Sequence, residues 1–300
     1  MKKAIFALFL CACLAISGVA SADNDARDYI PAPAGTILSL LYYFHVSGDS
    51  MHTNGNETAK INFTENLGMW REVFFFNLGP FIADAQLVVP FGNASLDIPG
   101  AGVYGMSSSG ISDPMILGTI WFVNRPQSKT WLGFSPYFFL PVGNYSDSQT
   151  VNMGSNRWAF REELVFTQGF EVIPNHNAYF EVTVGGDFFT DNTDYIGGTK
   201  LGQDPIFNLE SHLSYDLTKD WWISADFYSH WGGRQSVDSY DVENSKVNSQ
   251  TVGGTLAYNL SPSWQILFQY KGDVAVQNGI PAQTFQTRLC YITDFGKLFK

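Results

Sequence analysis

Between Trp221 and Trp231 the chain reads WWISADFYSHW, and hydrophobic and polar positions alternate along it. Trp221, Ile223, Ala225, Phe227 and Trp231 share one side of an extended segment, while Ser224, Asp226, Tyr228 and His230 share the other. A period of two is the mark of a β-strand with two different faces. The apolar face could pack on the core of a soluble sandwich or meet lipid, and periodicity alone serves both. The two tryptophans that bracket the apolar face favour lipid. At roughly 3.3 Å per residue and a tilt near 40°, their ten-residue spacing covers about 25 Å, the height of the apolar band on a transmembrane barrel, whose rims favour aromatic rings.

Eleven further segments alternate or are rich in β-branched and aromatic residues. The twelve lie near 36–46, 67–78, 81–90, 114–123, 131–141, 157–168, 178–189, 205–216, 221–231, 249–260, 264–274 and 282–293. An even number suits a barrel whose termini share one side of the membrane. The connectors alternate in length: GDSMHTNGNETAKINFTEN is long and LGP short, GNASLDIPGAGVYGMSSSGISD long and NRPQSK short, and so to the C-terminus. Long outer loops and short periplasmic turns give that rhythm. The predicted fold is all-β, a closed antiparallel transmembrane barrel of about twelve strands in one domain, 23–300.

The N-terminus supports export. Lys2 and Lys3 precede an uncharged apolar run that ends at Ala20-Ser21-Ala22, the pattern of a signal peptide cleaved before Asp23. Its removal leaves 15 basic against 28 acidic residues, which argues against nucleic acid as a partner. Cys290 is then the lone cysteine, so no internal disulfide framework exists.

The expected girdle is Trp121, Trp131, Trp221 and Trp264 at the periplasmic rim, with Trp158 and Trp231, joined by Trp70, at the outer one. The lumen is expected to be lined by Asp84, Gln86, Arg161, Glu163, Glu181, Asp187, Asn208, Glu210, His212, Asp226, Tyr228, His230, Gln269, Lys271 and Arg288. Among inward charges, Asp273 included, acids exceed bases, which disfavours anions in an open passage. Glu210 with His212, and Asp226 with His230, each share a face as acid/base pairs could. Lacking a G-x-S-x-G setting or converging metal ligands, they read as polar lumen residues, and neither catalysis, metal nor cofactor is expected.

Four stretches carry a resemblance: RDYIPAPAGT ending at Thr36, GISDP at 110–114, FFLPVGNYS at 138–146 and NRWAF at 156–160. Their order and spacing resemble the outer-membrane family named after the MetA pathway of phenol degradation. That resemblance implies a channel admitting aromatic or other small organic compounds, with lipid and such solutes as its partners. A barrel with an enzymatic or structural role is the second reading, and a soluble exported β-sandwich the third.

Overall fold

The computed structural model describes residues 23–295; the leader expected at 1–22 lies outside the described residues. Twelve antiparallel staves close a barrel: β1 (Thr36–Thr53), β2 (Asn56–Leu78), β3 (Phe81–Ile98), β4 in three pieces (Val103–Ile111, Met115–Leu117, Ile120–Arg125), β5 (Thr130–Phe139), β6 (Ala159–Ile173), β7 (His176–Phe189), β8 (Ile206–Asp216), β9 (Trp221–Gly232), β10 (Val247–Ser261), β11 (Trp264–Val276) and β12 (Gln283–Asp294). Closure comes from the ladder that pairs Thr36 with Asp294 through to Ser47 with Gln283. Every stave thus has a partner on both sides for part of its length, which is what lipid demands of a backbone.

Five connections at one end are short turns. Three of them have two residues, and the one that joins β2 to β3 runs through Gly79 and Pro80, where a φ of 59° at Gly79 suits the glycine. Loops of the other end are long, but the two expected at 48–66 and 92–113 are mostly strand: β1, β2 and β3 continue past the membrane height as hairpins. Their inward side stays apolar there, at Met51, Ile61, Phe63 and Leu96, so pairing continues where composition had suggested loop. Four short strands (Asn192–Tyr195, Thr199–Gln203, Gln235–Val237 and Tyr240–Asp241) pair into a separate sheet beyond the long-loop end.

The pattern of exposure is that of a protein turned inside out. Leu41, Phe138, Leu164, Phe180, Val184, Leu213, Ile223, Val252 and Phe268 are exposed, whereas Glu163, Thr183, Glu210, Asp226 and Gln269 are buried. In the opening stretch Trp221, Ile223 and Ala225 point out and Trp222, Ser224, Asp226 and Tyr228 point in. Trp158, Trp221, Trp231 and Trp264 lie on the outside, where Trp221 stacks on Tyr258 at 4.3 Å and Trp264 lies against Tyr291 at 4.7 Å. Trp121 and Trp131 correct the expected girdle, because both are buried inside the barrel. The Trp121 indole donates to the carbonyl of Tyr29 at 3.0 Å and that of Trp131 to Asn124 at 3.1 Å. Around Trp121 and Trp131 apolar residues occupy both faces, as in IWFV and TWLGF, so alternation could not tell inside from outside there.

Candidate functional site

The barrel interior has two unlike halves. From β1 to β5 its wall is mainly apolar, formed by Tyr42, Phe44, Met69, Val73, Phe75, Val88, Met115, Leu117 and Tyr137. From β6 to β12 it is polar and charged. The fifteen residues expected to line the lumen all lie inside: fourteen are buried, and the His230 side chain is 12% exposed. Glu163, Glu181, Glu210 and Asp226 on β6 to β9 form an acidic arc, and across the ring stand Arg288 on β12 and Arg71 on β2. Arg161 does not add free charge to the acidic side, because its guanidinium bonds Asp187 at 2.5 and 3.0 Å.

Between the two arcs lies the segment that precedes β1. Its acidic side chains meet the bases: Asp25 accepts from Arg288 at 2.7 Å and from Gln286 at 2.7 Å, and Asp28 accepts from Arg71 at 2.7 Å and Arg288 at 3.0 Å. Asp23 accepts from Lys271 at 2.5 Å, with His230 3.5 Å away. Donors on the same segment meet the acids. Asn24 gives its amide N–H to Glu210 at 3.0 Å and its side-chain amide to Glu163 and Glu210, both at 3.1 Å. The Arg27 amide donates to Glu181 at 2.8 Å, and its guanidinium pairs with Asp216 at 2.8 Å between the rings of Tyr179 and Trp222, 4.7 and 4.5 Å away. Tyr29 donates to Glu163 and shares a hydrogen bond with Tyr137. Ala26 is fully buried against Trp222, Ala257 and Leu267. The segment therefore plugs the lumen, bound by side chains of staves far apart in sequence and by no strand ladder.

Sequence reasoning missed this plug and Arg71. The plug has no periodicity to read, and Arg71 sits on a face otherwise occupied by Leu67, Met69, Val73 and Phe75. The one signal was compositional, five charged or amide residues in a row from Asp23 interrupted only by Ala26. Asp84 proves to serve the wall: it accepts from the Thr119 amide at 2.7 Å where β4 leaves its ladder.

That interruption is part of a larger break. The Val103–Ile111 piece of β4 is paired with β3 alone, and on its other side lies the loop 140–158. Asp113 ties the loop down, accepting from the amides of Gly143 at 2.9 Å and Ser155 at 2.8 Å and from the Ser155 hydroxyl at 2.5 Å. Asn144 bridges to Ile111 through its side chain and amide, both at 2.8 Å. Arg157 then reaches from the loop to the small outer sheet, donating to Gln203 at 2.5 Å over the ring of Phe189. GISDP is thus tied to the loop that carries LPVGN and NRW.

Of the acid/base pairs drawn from sequence, neither forms as drawn. His212 bonds Asp226 across strands at 2.9 Å, and Ser224 and Thr255 donate to that carboxylate and not to the imidazole. His230 bonds Asn208 at 2.7 Å. Among the described residues no three His, Cys, Asp or Glu are placed to hold a metal.

A closed antiparallel barrel with a lipid-type outer face, aromatic rims and a charged, plugged interior defines a β-barrel membrane protein. The particular family follows from sequence: the family described as "Putative MetA-pathway of phenol degradation" matches residues 47–289, and the chain belongs to it. Among solved structures, the COG4313 outer membrane channel from Pseudomonas putida F1 is similar at a TM-score of 0.83 and 21% identity, covering 90% of this chain and 100% of that one. The β domain of the Bordetella autotransporter BrkA is similar at 0.49 and 10% identity, with 86% and 99% covered. The TodX monoaromatic hydrocarbon channel is similar at 0.40 and 10% identity, with 92% and 93% covered. Curated proteins give no sequence match.

Proposed function

We propose that the protein is a passive channel of the bacterial outer membrane for small organic molecules, shut by its own N-terminal segment. The observation that carries this reading is the plug itself. It occupies the lumen between an apolar and a charged wall, held there by hydrogen bonds and ion pairs to wall side chains and by the packing of Ala26, with no strand ladder. A cavity left beside it, lined by Asp23, Asn24, Asp25 and Asp28 of the plug and by Tyr42, Phe44, Met69, Arg71, Val88, Met115, Leu117, Tyr137 and Gln286 of the wall, measures about 30 Å³. That is room for one or two waters and for no organic solute, so passage requires the plug to move. The wall that it uncovers suits a molecule with an apolar body, held at its polar end by Tyr137, Tyr42 or Arg71. Of the inward residues named from sequence, the thirteen on β6 to β12 then border the path on its charged side while Asp84 and Gln86 stand on β3 in the other half, and the membership of the phenol-degradation family agrees with a solute of this kind.

Deleting residues 23–30 and measuring the protein in planar bilayers and in liposome swelling tests the proposal. The truncated barrel is expected to conduct and to admit a small neutral aromatic faster than a comparable carboxylate. A folded, truncated barrel with neither conductance nor uptake refutes it.

A further inference from the structure

Asp23, the first described residue of the plug, sits in the lumen among opposite charges. Glu163 and Glu210 beside it are both fully buried. Each gives one oxygen, Oε2, to Asn24, while Oε1 of each is buried without a hydrogen-bond partner. The cation nearest to Glu163 Oε1 is Arg161 at 3.5 Å, and Arg161 is engaged by Asp187. A buried carboxylate oxygen left unpaired is costly, so a donor is wanted at this spot.

The geometry points to the donor: we propose that cleavage between Ala22 and Asp23 creates it, and that the resulting α-ammonium of Asp23 is the counter-ion of Glu210. Hydrolysis by a leader peptidase breaks the Ala22–Asp23 amide. The hydroxyl of the attacking water goes to the Ala22 carbonyl, and a hydrogen goes to the Asp23 nitrogen, which takes a further proton near neutral pH. That nitrogen is one residue, at most about 3.8 Å of chain, from the Asn24 amide that already touches Glu210 at 3.0 Å. The Asp23 carboxylate on the same residue stays with Lys271 and His230, so the two charges of the new terminus have separate partners. Processing and plugging are then one device: a chain still joined to anything before Asp23 offers an amide here in place of a cation, and must fit more atoms into an occupied lumen. This rests on reading residues 1–22 as a removed leader and the interior as a closed channel.

The test uses protein purified from outer membranes. Mass spectrometry of its N-terminal peptide is expected to start at Asp23. An amine-reactive acylating reagent near neutral pH is expected to label that terminus at least about ten-fold more slowly in the folded barrel than after heat unfolding. Protection is expected to fall in Glu210→Gln, and in a refolded form carrying two alanines before Asp23, which is also expected to conduct more than the native form. The extended form keeps the test decisive if Glu210→Gln does not fold. A terminus elsewhere than Asp23, equal labelling before and after unfolding, or unchanged protection in the extended form overturns the proposal. Conductance of the 23–30 deletion judges the channel reading separately, so a barrel that conducts on deletion but labels freely when intact refutes this inference and leaves the channel.

Discussion

Replacing Arg288 with alanine removes the one cation bonded to Asp25 among the described residues. In the folded protein Arg288 Nη1 holds Asp25 at 2.7 Å and Asp28 at 3.0 Å, and Nη2 bonds Gln265 at 2.7 Å. Asp28 keeps Arg71 at 2.7 Å, but Asp25 is left with Gln286 alone while 5% exposed. Breaking a buried ion pair from one side costs about 3–5 kcal/mol, because the remaining charge has lost its hydration and its partner. Water entering the lumen lowers that figure, so the lower end, about 3 kcal/mol, is the working value. The cost falls on the seated plug and not on the barrel, whose ladders do not involve Asp25. At 1.4 kcal/mol per factor of ten, the ratio of open to closed lumen should rise by roughly two orders of magnitude. Single-channel recording should show this as a large gain in open probability, while the heat-dependent gel shift of the closed barrel stays as in the parent. Asp25→Asn in the same chain removes the orphaned charge and should restore part of the closure, giving a measurable coupling in a double-mutant cycle. An open probability unchanged in Arg288→Ala, with the barrel intact, would refute the view that these ion pairs hold the plug.

Three other outcomes follow from the same geometry. Phe227→Arg should lower refolding stability in lipid by about 2–4 kcal/mol because it places a charge on the lipid face, whereas Tyr228→Phe should leave the barrel unchanged and loosen the plug by about 1 kcal/mol through the lost bond to the Asn24 carbonyl, 3.3 Å long. The reverse order in refolding titrations would mean that the register of β9 is slipped by one. Asp113→Ala removes three hydrogen bonds to loop 140–158 and should free it by about 3 kcal/mol, seen as new proteolytic cuts between 140 and 158 in intact membranes; an unchanged cutting pattern would show that the loop is held otherwise. In the barrel lacking 23–30, current should favour cations at low salt, the preference should shrink as salt rises, and neutralising Glu210 with Asp226 should weaken it without abolishing conductance; an anion preference would contradict the charge assignment of the wall.

The sequence by itself determined the wall. Each strand reports its two faces through its own alternation, since lipid selects apolar side chains at every second position whatever the other strands do. Strand number, the short turns and the inward set from β6 to β12 could therefore be read locally, as Trp221 to Trp231 shows. Where both faces were apolar, as around Trp121 and Trp131, the same reasoning had no contrast to use and put the rings on the wrong side. What only the tertiary structure decided is what fills the ring. Asp25 meets Arg288 across 263 positions and Asn24 meets Glu210 across 186, and closure of the barrel alone brings them together. A plug has no period of its own, because its neighbours are set by twelve strands at once, and so its place is a property of the closed barrel and not of any stretch of chain.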